Sequence, residues 1–308
     1  LMAEILKLRQ KLATLLGFDD YTDYSLATKM AETSTQVFGF LNDLAEKSLP
    51  VARQEFAELQ AYARSLGAED LQASDVPSYS EKLRLQKYAI SQQELRPYFP
   101  AEKVITGMFE ITERLFGLNF TEQAGFDSWH PDAKLFHVSR GGKLIAKFYL
   151  DMYARERKQG GAWMANCRSR RRRLSGELQL PVAYLTCNFS MPTADTPSLL
   201  THNEVTTLFH EFGHGLHHML TRIDCAAVSG INGVAWDAVE LPSQFLENWC
   251  WEKEAILLIS GHYQTGEPLP AQLLEKMLKA KNFQVGMQMI RQLELALFDL
   301  SIHSEKDC

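Results

Sequence analysis

Four histidines and one glutamate lie within nine positions of the stretch TTLFHEFGHGLHH, residues 206–218. Its core has the pattern HExxH, with His210 and His214 four residues apart and Glu211 directly after the first histidine. On a helix, side chains at positions i and i+4 lie one turn apart, so two imidazoles there can bind one zinc ion. The glutamate of this pattern can accept a proton from a zinc-bound water. The stretch therefore predicts a zinc site with Glu211 as general base.

A catalytic zinc site needs a third protein ligand and one open position. The extended pattern HExxHxxGxxH is excluded, because positions 217 and 220 are histidine and leucine. A carboxylate from a second element is the alternative, and the candidates are Asp224, Asp237, Glu240, Glu247 and Glu252. Glu240 and Glu247 would share one face of a helix, so one could bind the metal while the other supports a ligand. Spacing does not choose between these two.

The helix that carries the HExxH pattern has a predicted start and a predicted buried face. In THNE, residues 201–204, the spacing of Thr201 and Glu204 predicts a capping box. Gly213 and Gly215 each cost roughly 1 kcal/mol inside a helix, which indicates close approach of another backbone or of a ligand. At 100° per residue the two zinc-binding histidines lie opposite an apolar stripe. The stripe consists of Val205, Leu208, Phe209, Phe212, Leu216, Met219 and Leu220. His217 and His218 are interpreted as packing or supporting residues.

Helical periodicity dominates the rest of the chain, apart from a short central region. Residues 1–66 are predicted to be helical, with a helix boundary or first turn at Pro50 and a stop at Gly67. The alternating segments AKLFHVS and KLIAKFYLDMYA predict strands joined by a tight turn at Gly141 and Gly142, and PVAYLTCNFS predicts another strand. The predicted fold class is therefore mainly α-helical with a small β-sheet.

Composition restricts the partners and the compartment. The net charge of −6 argues against nucleic acid as a partner. The sequence contains no run of about 18 apolar residues, so no membrane span is predicted. The start, LMAEILKLRQKLATLLGF, lacks the apolar core of a signal peptide. Five arginines in residues 168–173 predict a solvated loop, with an acidic-ligand site as the alternative. An odd number of cysteines without a CxxC pair favours a reducing compartment: Cys167, Cys187, Cys225, Cys250 and Cys308.

Two blocks, HEFGHGLHHMLTRI and WDAVELPSQFLENWCWE, resemble the thimet oligopeptidase family of zinc peptidases. The similarity continues through FYLDMYARERKQGGAWM, PVAYLTCNF and SGHYQTGEPLP, and it covers nearly the whole chain. The resemblance implies that Glu240 is the third zinc ligand, because the glutamate of the VExPSQ segment has this role in the family. It also implies that Glu211 is the catalytic glutamate.

The resemblance further implies a zincin-like HExxH core of the neurolysin and thimet oligopeptidase type. Residues 1–125 would form the helical part of the peptidase domain, and residues 126–308 the zinc-binding catalytic core. In the family the catalytic region continues past the position of Cys308, with groups that stabilise the oxyanion, so the core is expected to be incomplete here. The strand containing TCNF is expected to run near the zinc and to hold the substrate backbone by strand addition.

These observations lead to one main hypothesis and two alternatives. The main hypothesis is a cytoplasmic, monomeric zinc endopeptidase with one Zn²⁺ per chain, which hydrolyses short peptides and binds neither nucleic acid nor membranes. The first alternative is a catalytically incomplete zinc-binding fragment that acts only as a peptide-binding module. The second is a zinc hydrolase with a non-peptide substrate, which the match to peptidase blocks makes less favoured.

Overall fold

The structure is a computed structural model that describes residues 1–304. Within this part helices predominate and β-structure is confined to a five-stranded and a two-stranded sheet, so the predicted fold class is confirmed. Contacts group the chain into two compact units. Among the described residues, one contains 1–89, 235–238 and 279–304, and the other contains 90–234 and 239–278. The functional division predicted at residue 125 stays a prediction.

The helices follow one another along most of the chain and are interrupted by the sheet. They are α1 (Met2–Leu15), α2 (Tyr21–Leu26), α3 (Ser34–Ser65), α4 (Val76–Tyr88), α5 (Gln92–Leu95), α6 (Ala101–Phe116), α7 (His202–Met219), α8 (Leu241–Glu247), α9 (Lys253–Ile259), α10 (Ala271–Ala280) and α11 (Val285–Ser304). In residues 1–304 no helix is long and apolar enough to cross a bilayer. The cysteines at 167, 187, 225 and 250 are free thiols, and Cys308 lies outside the described residues.

Helix α3 runs through Pro50, so the boundary predicted at this proline is wrong. A proline inside a helix removes one hydrogen bond and costs about 3 kcal/mol. Helix α3 packs along α11 and buries Ala52, Leu59 and Ala63, and this packing outweighs the local cost. The stop predicted at Gly67 is confirmed, because α3 ends two residues earlier and Gly67 has a φ of +90°.

The five-stranded sheet has the order β1-β2-β3-β7-β4. The strands are β1 (Leu118–Gln123), β2 (Lys134–Arg140), β3 (Lys143–Tyr153), β4 (Trp163–Arg168), β5 (Arg171–Arg172), β6 (Leu178–Gln179) and β7 (Val182–Phe189). Neighbours are antiparallel except β3 and β7, which are parallel. The turn predicted between β2 and β3 is confirmed, because Gly141 and Gly142 have φ values of +56° and +75°.

Strand β7, which contains TCNF, lies inside the sheet between β3 and β4. Its two edges are already paired, so the expectation that this strand holds a substrate by strand addition is wrong. The outer edge of β4 pairs with no other strand among residues 1–304. The sequence patterns do not predict β4 or β1, because neither strand alternates clearly and both are placed by pairing with distant segments. The other unpaired edge of this sheet among residues 1–304 is that of β1, so strand addition is open only to β1 and β4.

Asp151 lies in β3 at the centre of a buried cluster of ion pairs. Its Oδ1 accepts hydrogen bonds from Arg155 Nη1 at 2.7 Å and Lys158 Nζ at 2.8 Å. Its Oδ2 accepts from Arg155 Nη2 at 2.8 Å and Trp129 Nε1 at 2.9 Å. Burial alone would raise the pKa of Asp151, but these hydrogen bonds outweigh it and hold the pKa well below its ordinary value. The cluster fastens the end of β3 to the segment that leads to β4.

The lowered pKa of Asp151 makes the stability of the fold depend on pH. A carboxyl whose pKa is lower in the folded than in the unfolded state stabilises the fold above the unfolded value of about 4. This contribution is lost as the pH falls through the folded pKa. We expect Asp151→Asn to lower the free energy of unfolding by about 3–5 kcal/mol at pH 7, since two cations lose their partner.

Urea unfolding of parent and variant between pH 7 and pH 2 measures this difference. The parent's advantage should shrink as the pH falls below about 4. The exposed Asp195→Asn is the control for a lost negative charge. An advantage of the parent that stays constant down to pH 2 would contradict the proposed role of the Asp151 charge.

Candidate metal centre

The capping box predicted at the start of α7 is confirmed. Thr201 Oγ1 accepts a hydrogen bond from the Glu204 backbone N–H at 3.2 Å, and Glu204 Oε2 accepts from the Thr201 N–H at 2.7 Å. The predicted apolar stripe faces the core, with Leu220 half-buried at its end and the other members buried: Val205, Leu208, Phe209, Phe212, Leu216 and Met219. This packing fixes the rotation of α7 about its axis and hence the direction of the HExxH side chains.

Gly213 allows α7 and α8 to approach each other closely. A Cβ atom on Gly213 would lie 2.6 Å from Ser243 Cα and 2.7 Å from Pro242 O, which is too close for any side chain. The close approach of a second backbone predicted from this glycine is confirmed. Gly215 differs, because a Cβ there would meet only the flexible side chain of Leu185, with Cδ2 at 3.1 Å.

Glu240 caps the start of α8, directly opposite the HExxH face of α7. The hydroxyl of Ser243, in the first turn of α8, lies 2.9 Å from both the backbone oxygen and Oε2 of Glu240, and these two acceptors share its one proton. Ser243 thus orients the Glu240 carboxylate. Ser243 is a functional residue that the motifs alone do not reveal, although its position three residues after Glu240 is the spacing at which a side chain reaches back at a helix start.

Three donor atoms from α7 and α8 converge on one point. Glu240 Oε2 lies 3.2 Å from His210 Nε2 and 3.1 Å from His214 Nε2. One ligand atom from each of the three residues lies within 4.8 Å of the others, as a metal ion requires. Four tetrahedral ligands at 2.0–2.1 Å from zinc are about 3.3 Å apart, so the two measured separations fit a shared ion.

Glu247, at the end of α8, supports His210 from the other side of the ring. His210 Nδ1 donates to Glu247 Oε1 at 2.6 Å, so the neutral ring has its lone pair on Nε2. That lone pair faces the Glu240 carboxylate oxygen at 3.2 Å, an arrangement that either a proton or a metal cation between the two atoms stabilises. A carboxylate behind a histidine is also the usual support of a metal ligand. Glu240 thus lies between the two Nε2 atoms, whereas Glu247 contacts Nδ1 of His210, and the assignment of Glu240 as the metal ligand stays a prediction.

The remaining candidates lie outside this group of three donors. Asp237 accepts hydrogen bonds from two backbone N–H groups in the loop before α3, at 2.9 to 3.0 Å. Glu252 is exposed at the start of α9. His218 is buried and donates from Nε2 to the backbone oxygen of Arg168 at 3.0 Å, in agreement with the packing role given to it. His217 is half-buried and is likewise not one of the three converging donors.

Asp224 serves the arginine run instead of the metal site. Its two carboxylate oxygens each form an ion pair of 2.8 Å, one with Arg170 Nε and one with Arg172 Nη2. The run was predicted to be a solvated loop with an acidic-ligand site as the alternative. In the structure Arg168 ends β4 and Arg171–Arg172 form β5, so the loop prediction is wrong for these residues. Arg170 and Arg172 share the Asp224 carboxylate, and Arg172 is half-exposed to solvent.

Glu211 is buried beside the three donors and close to β4. Burial raises the pKa of Glu211, whereas the charge of His210 and a backbone hydrogen bond from Met164 lower it, and the charge of Glu240 raises it. Burial also lowers the pKa of His214, and the Glu240 carboxylate opposes this effect. The site thus combines a buried carboxyl that takes up a proton more readily than usual with a histidine that stays neutral more readily than usual.

In comparisons with known proteins, one family model matches the chain over its whole given length. A family model described as Peptidase family M3 matches residues 1–308. Oligopeptidase A of Escherichia coli (strain K12) is 56% identical over 306 residues, which are 99% of this chain and 45% of that protein. Saccharolysin of Saccharomyces cerevisiae is 38% identical over 331 residues, which are 100% of this chain and 45% of that protein.

The chain thus spans less than half the length of these curated relatives. The resemblance inferred from the HExxH and VELPSQ blocks is confirmed by the family match. Because the family model covers every residue and a convergent group of three metal donors lies on the matching motifs, the chain belongs to peptidase family M3.

Proposed function

We propose that this chain contains the zinc-binding catalytic centre of an oligopeptidase that hydrolyses short peptides. The observation that carries the proposal is the convergence of two imidazoles and one carboxylate beside a buried glutamate. Relatives whose names include oligopeptidase A and saccharolysin support the substrate class. We propose one Zn²⁺ per chain, a zincin-like core and a monomer. A relative named as a probable cytosolic oligopeptidase A supports a cytoplasmic location.

In this proposal the zinc ligands are His210 Nε2, His214 Nε2 and Glu240 Oε2. Two imidazoles and one carboxylate are the ligand set of several catalytic zinc sites, which leave one position open. Carboxylate and imidazole donors also suit other divalent ions. The separations of 3.1 and 3.2 Å between donors favour a small ion with tetrahedral geometry, and zinc fits this requirement.

The side chains around the donors would carry the proton transfers. Bound zinc would supply a Lewis acid that polarises a peptide carbonyl and lowers the pKa of water. Glu211 would accept the proton of the attacking water and pass it to the leaving nitrogen. Its raised pKa suits both steps, because the protonated form must persist until the amine leaves. Glu247 and Ser243 would hold His210 and Glu240 in the orientations that the donors need.

The free edge of β4 is the proposed place for the substrate backbone. An extended peptide can pair with an exposed strand edge through main-chain hydrogen bonds. The backbone N–H of Met164, in β4, lies close enough to the Glu211 carboxylate to lower its pKa. A peptide that follows this edge would therefore present a carbonyl group close to the proposed general base.

Glu247→Gln is expected to weaken zinc binding by about 10- to 100-fold without removing a ligand. The amide would hold the His210 ring less firmly and would no longer provide a negative charge behind it. Competition with a chromogenic chelator measures the zinc dissociation constant. The exposed Glu254→Gln is the control for a lost charge near α8. Equal zinc affinity in the parent and in Glu247→Gln would contradict the supporting role of Glu247.

Cleavage of an internally quenched peptide of about ten residues tests the proposed function. The protein should cleave it, lose the activity with a chelator and regain it with Zn²⁺. A folded, zinc-loaded protein that binds the peptide without cleaving it would instead support the peptide-binding alternative. A protein that cleaves other ester or amide substrates but not peptides would favour the non-peptide hydrolase.

A further inference from the structure

A cavity of about 330 Å³ lies on the face of the sheet that is turned away from α7. Aromatic side chains and the Asp151 cluster form its walls, and its lining residues are Trp129, Asp151, Arg155, Lys158, Trp163, Ala165, Tyr184 and Thr186. The size is at the lower end of the range for small-ligand pockets. Apolar walls around a few charged groups are typical of sites that bind one specific group.

The charged groups of this cavity do not cancel. One carboxylate, Asp151, faces two cations, Arg155 and Lys158, which leaves a net charge of +1. Asp132 affects Arg155 from farther away and does not line the cavity. A partly enclosed site with one uncompensated positive charge favours an anionic ligand.

The two cations have different roles. Lys158 Nζ donates to the backbone oxygens of Asp151 and Tyr153 and to Asp151 Oδ1, and these three contacts occupy its three N–H groups. Arg155 uses one N–H of each terminal nitrogen on Asp151 and has five in total. Lys158 therefore offsets the Asp151 charge, while Arg155 retains donors for a ligand. The Asp151 pair also holds the guanidinium in a fixed orientation, which reduces the entropy lost on binding.

The register of the sheet places this cavity next to the proposed substrate edge. Trp163 of β4 pairs with Thr186 of β7, and Thr186 pairs with Asp151 of β3, so these three residues form one row across the sheet. Trp163 and Ala165 line the cavity, and the backbone N–H of Met164 between them lies close enough to Glu211 to lower its pKa. Alternate residues of a strand point to opposite faces, so a peptide paired with β4 would direct every second side chain towards the cavity.

We propose that the cavity around Arg155 is a subsite for a carboxylate of the bound peptide. This inference rests on the proposed function, because it requires a peptide along β4. The carboxylate belongs either to an acidic side chain of the peptide or to its C-terminus. Arg155 binds it through its remaining N–H groups in a charge-assisted pair, which the aromatic side chains flank.

Binding of matched fluorescent peptides to the zinc-loaded Glu211→Gln protein tests the subsite without turnover. The three peptides differ only in their carboxylates. The first has one Glu and a C-terminal amide, and the second, the neutral reference, has Gln in place of that Glu and the same amide. The third has this Gln and a free C-terminal carboxylate. Fluorescence anisotropy gives their dissociation constants. A charge-assisted hydrogen bond is expected to make a carboxylate peptide bind about tenfold more tightly than its neutral match. The peptide that shows this preference identifies the source of the carboxylate.

Variants assign the preference to Arg155. In Arg155→Gln the neutral peptide and the carboxylate peptide should bind with about the same dissociation constant. In Arg155→Lys the preference for the carboxylate should be intermediate, because lysine keeps the charge but not the two-pronged set of N–H donors. The matched control is Arg157→Gln, whose parent side chain is 92% exposed and does not line the cavity. Thermal unfolding confirms that each variant is folded, and Arg155→Lys keeps the test informative if Arg155→Gln does not fold.

The outcomes separate the subsite from the catalytic proposal. Carboxylate-dependent binding that Arg155→Gln abolishes and Arg157→Gln retains would establish the subsite, even for a protein that cleaves no peptide. Equal binding of all three peptides would overturn the subsite, and so would a preference that Arg155→Gln retains. Either result would leave zinc-dependent cleavage of the neutral peptide as an independent measure of the proposed function.

Discussion

Glu211→Gln is expected to retain zinc and to lower kcat by about 10²- to 10⁴-fold, which is the range for loss of a general acid–base group. Glutamine has nearly the same shape as glutamate but cannot accept a proton at neutral pH. The three converging donors come from other residues, so the zinc affinity should stay within a few-fold of the parent value. This separation of metal binding from turnover distinguishes a general base from a ligand.

The measurement combines metal content after dialysis with the rate of cleavage of a quenched peptide. Glu69→Gln, in an exposed loop, is the control and should match the parent in both. Replacement of Glu240 by glutamine should give the opposite pattern, since it removes a ligand and thereby lowers zinc content together with activity. A zinc-loaded Glu211→Gln protein that cleaves the peptide at a substantial fraction of the parent rate would disprove the assigned role.

Local periodicity was sufficient to predict how α7 presents its side chains. The capping box at Thr201 and the buried stripe from Val205 onward depend only on contacts within a few turns, and both agree with the structure. The choice between Glu240 and Glu247 depends on where α8 crosses α7, some 30 residues farther along the chain. Spacing cannot supply that crossing, and only the resemblance to a family suggested Glu240.

The sequence patterns could not predict features that depend on pairing between segments far apart in the chain. Strand β4 is a strand because β7 pairs with it, and β7 is enclosed because β3 pairs with its other edge. The substrate edge was therefore expected at the wrong strand. The helix boundary predicted at Pro50 was wrong for a related reason. The local preference of proline takes no account of the stabilisation that α3 gains by packing on α11. No sequence pattern predicted the ion pairs of Arg155 and Lys158. Their shared partner, Asp151, lies in a strand whose other residues are mostly apolar, as in a buried core.

Gly213→Ala is expected to damage the metal centre although it changes no donor. Alanine would favour the helix by about 1 kcal/mol. Its Cβ, however, would lie 2.6 Å from Ser243 Cα and 2.7 Å from Pro242 O, and backbone atoms of α8 cannot rotate out of the way. Overpacking of this kind costs about 1–3 kcal/mol, so the variant should be less stable than the parent. Helix α8 must shift, and Glu240 at its start shifts with it, so zinc binding should weaken by about 10- to 100-fold.

Gly215→Ala is the matched control, because it adds the same methyl group two residues farther along the same helix. There the new Cβ meets only side-chain atoms, Leu185 Cδ2 at 3.1 Å and Met219 Cε at 3.6 Å, which adjust more easily than backbone, so zinc affinity should remain close to the parent value and any loss of stability should be smaller than in Gly213→Ala. Zinc titration and thermal unfolding of the two variants compare these cases directly. If Gly213→Ala binds zinc as tightly as Gly215→Ala, the close contact between α7 and α8 does not position Glu240. If only Gly213→Ala loses affinity, the glycine inside HExxH is there to let the third donor reach the two histidines.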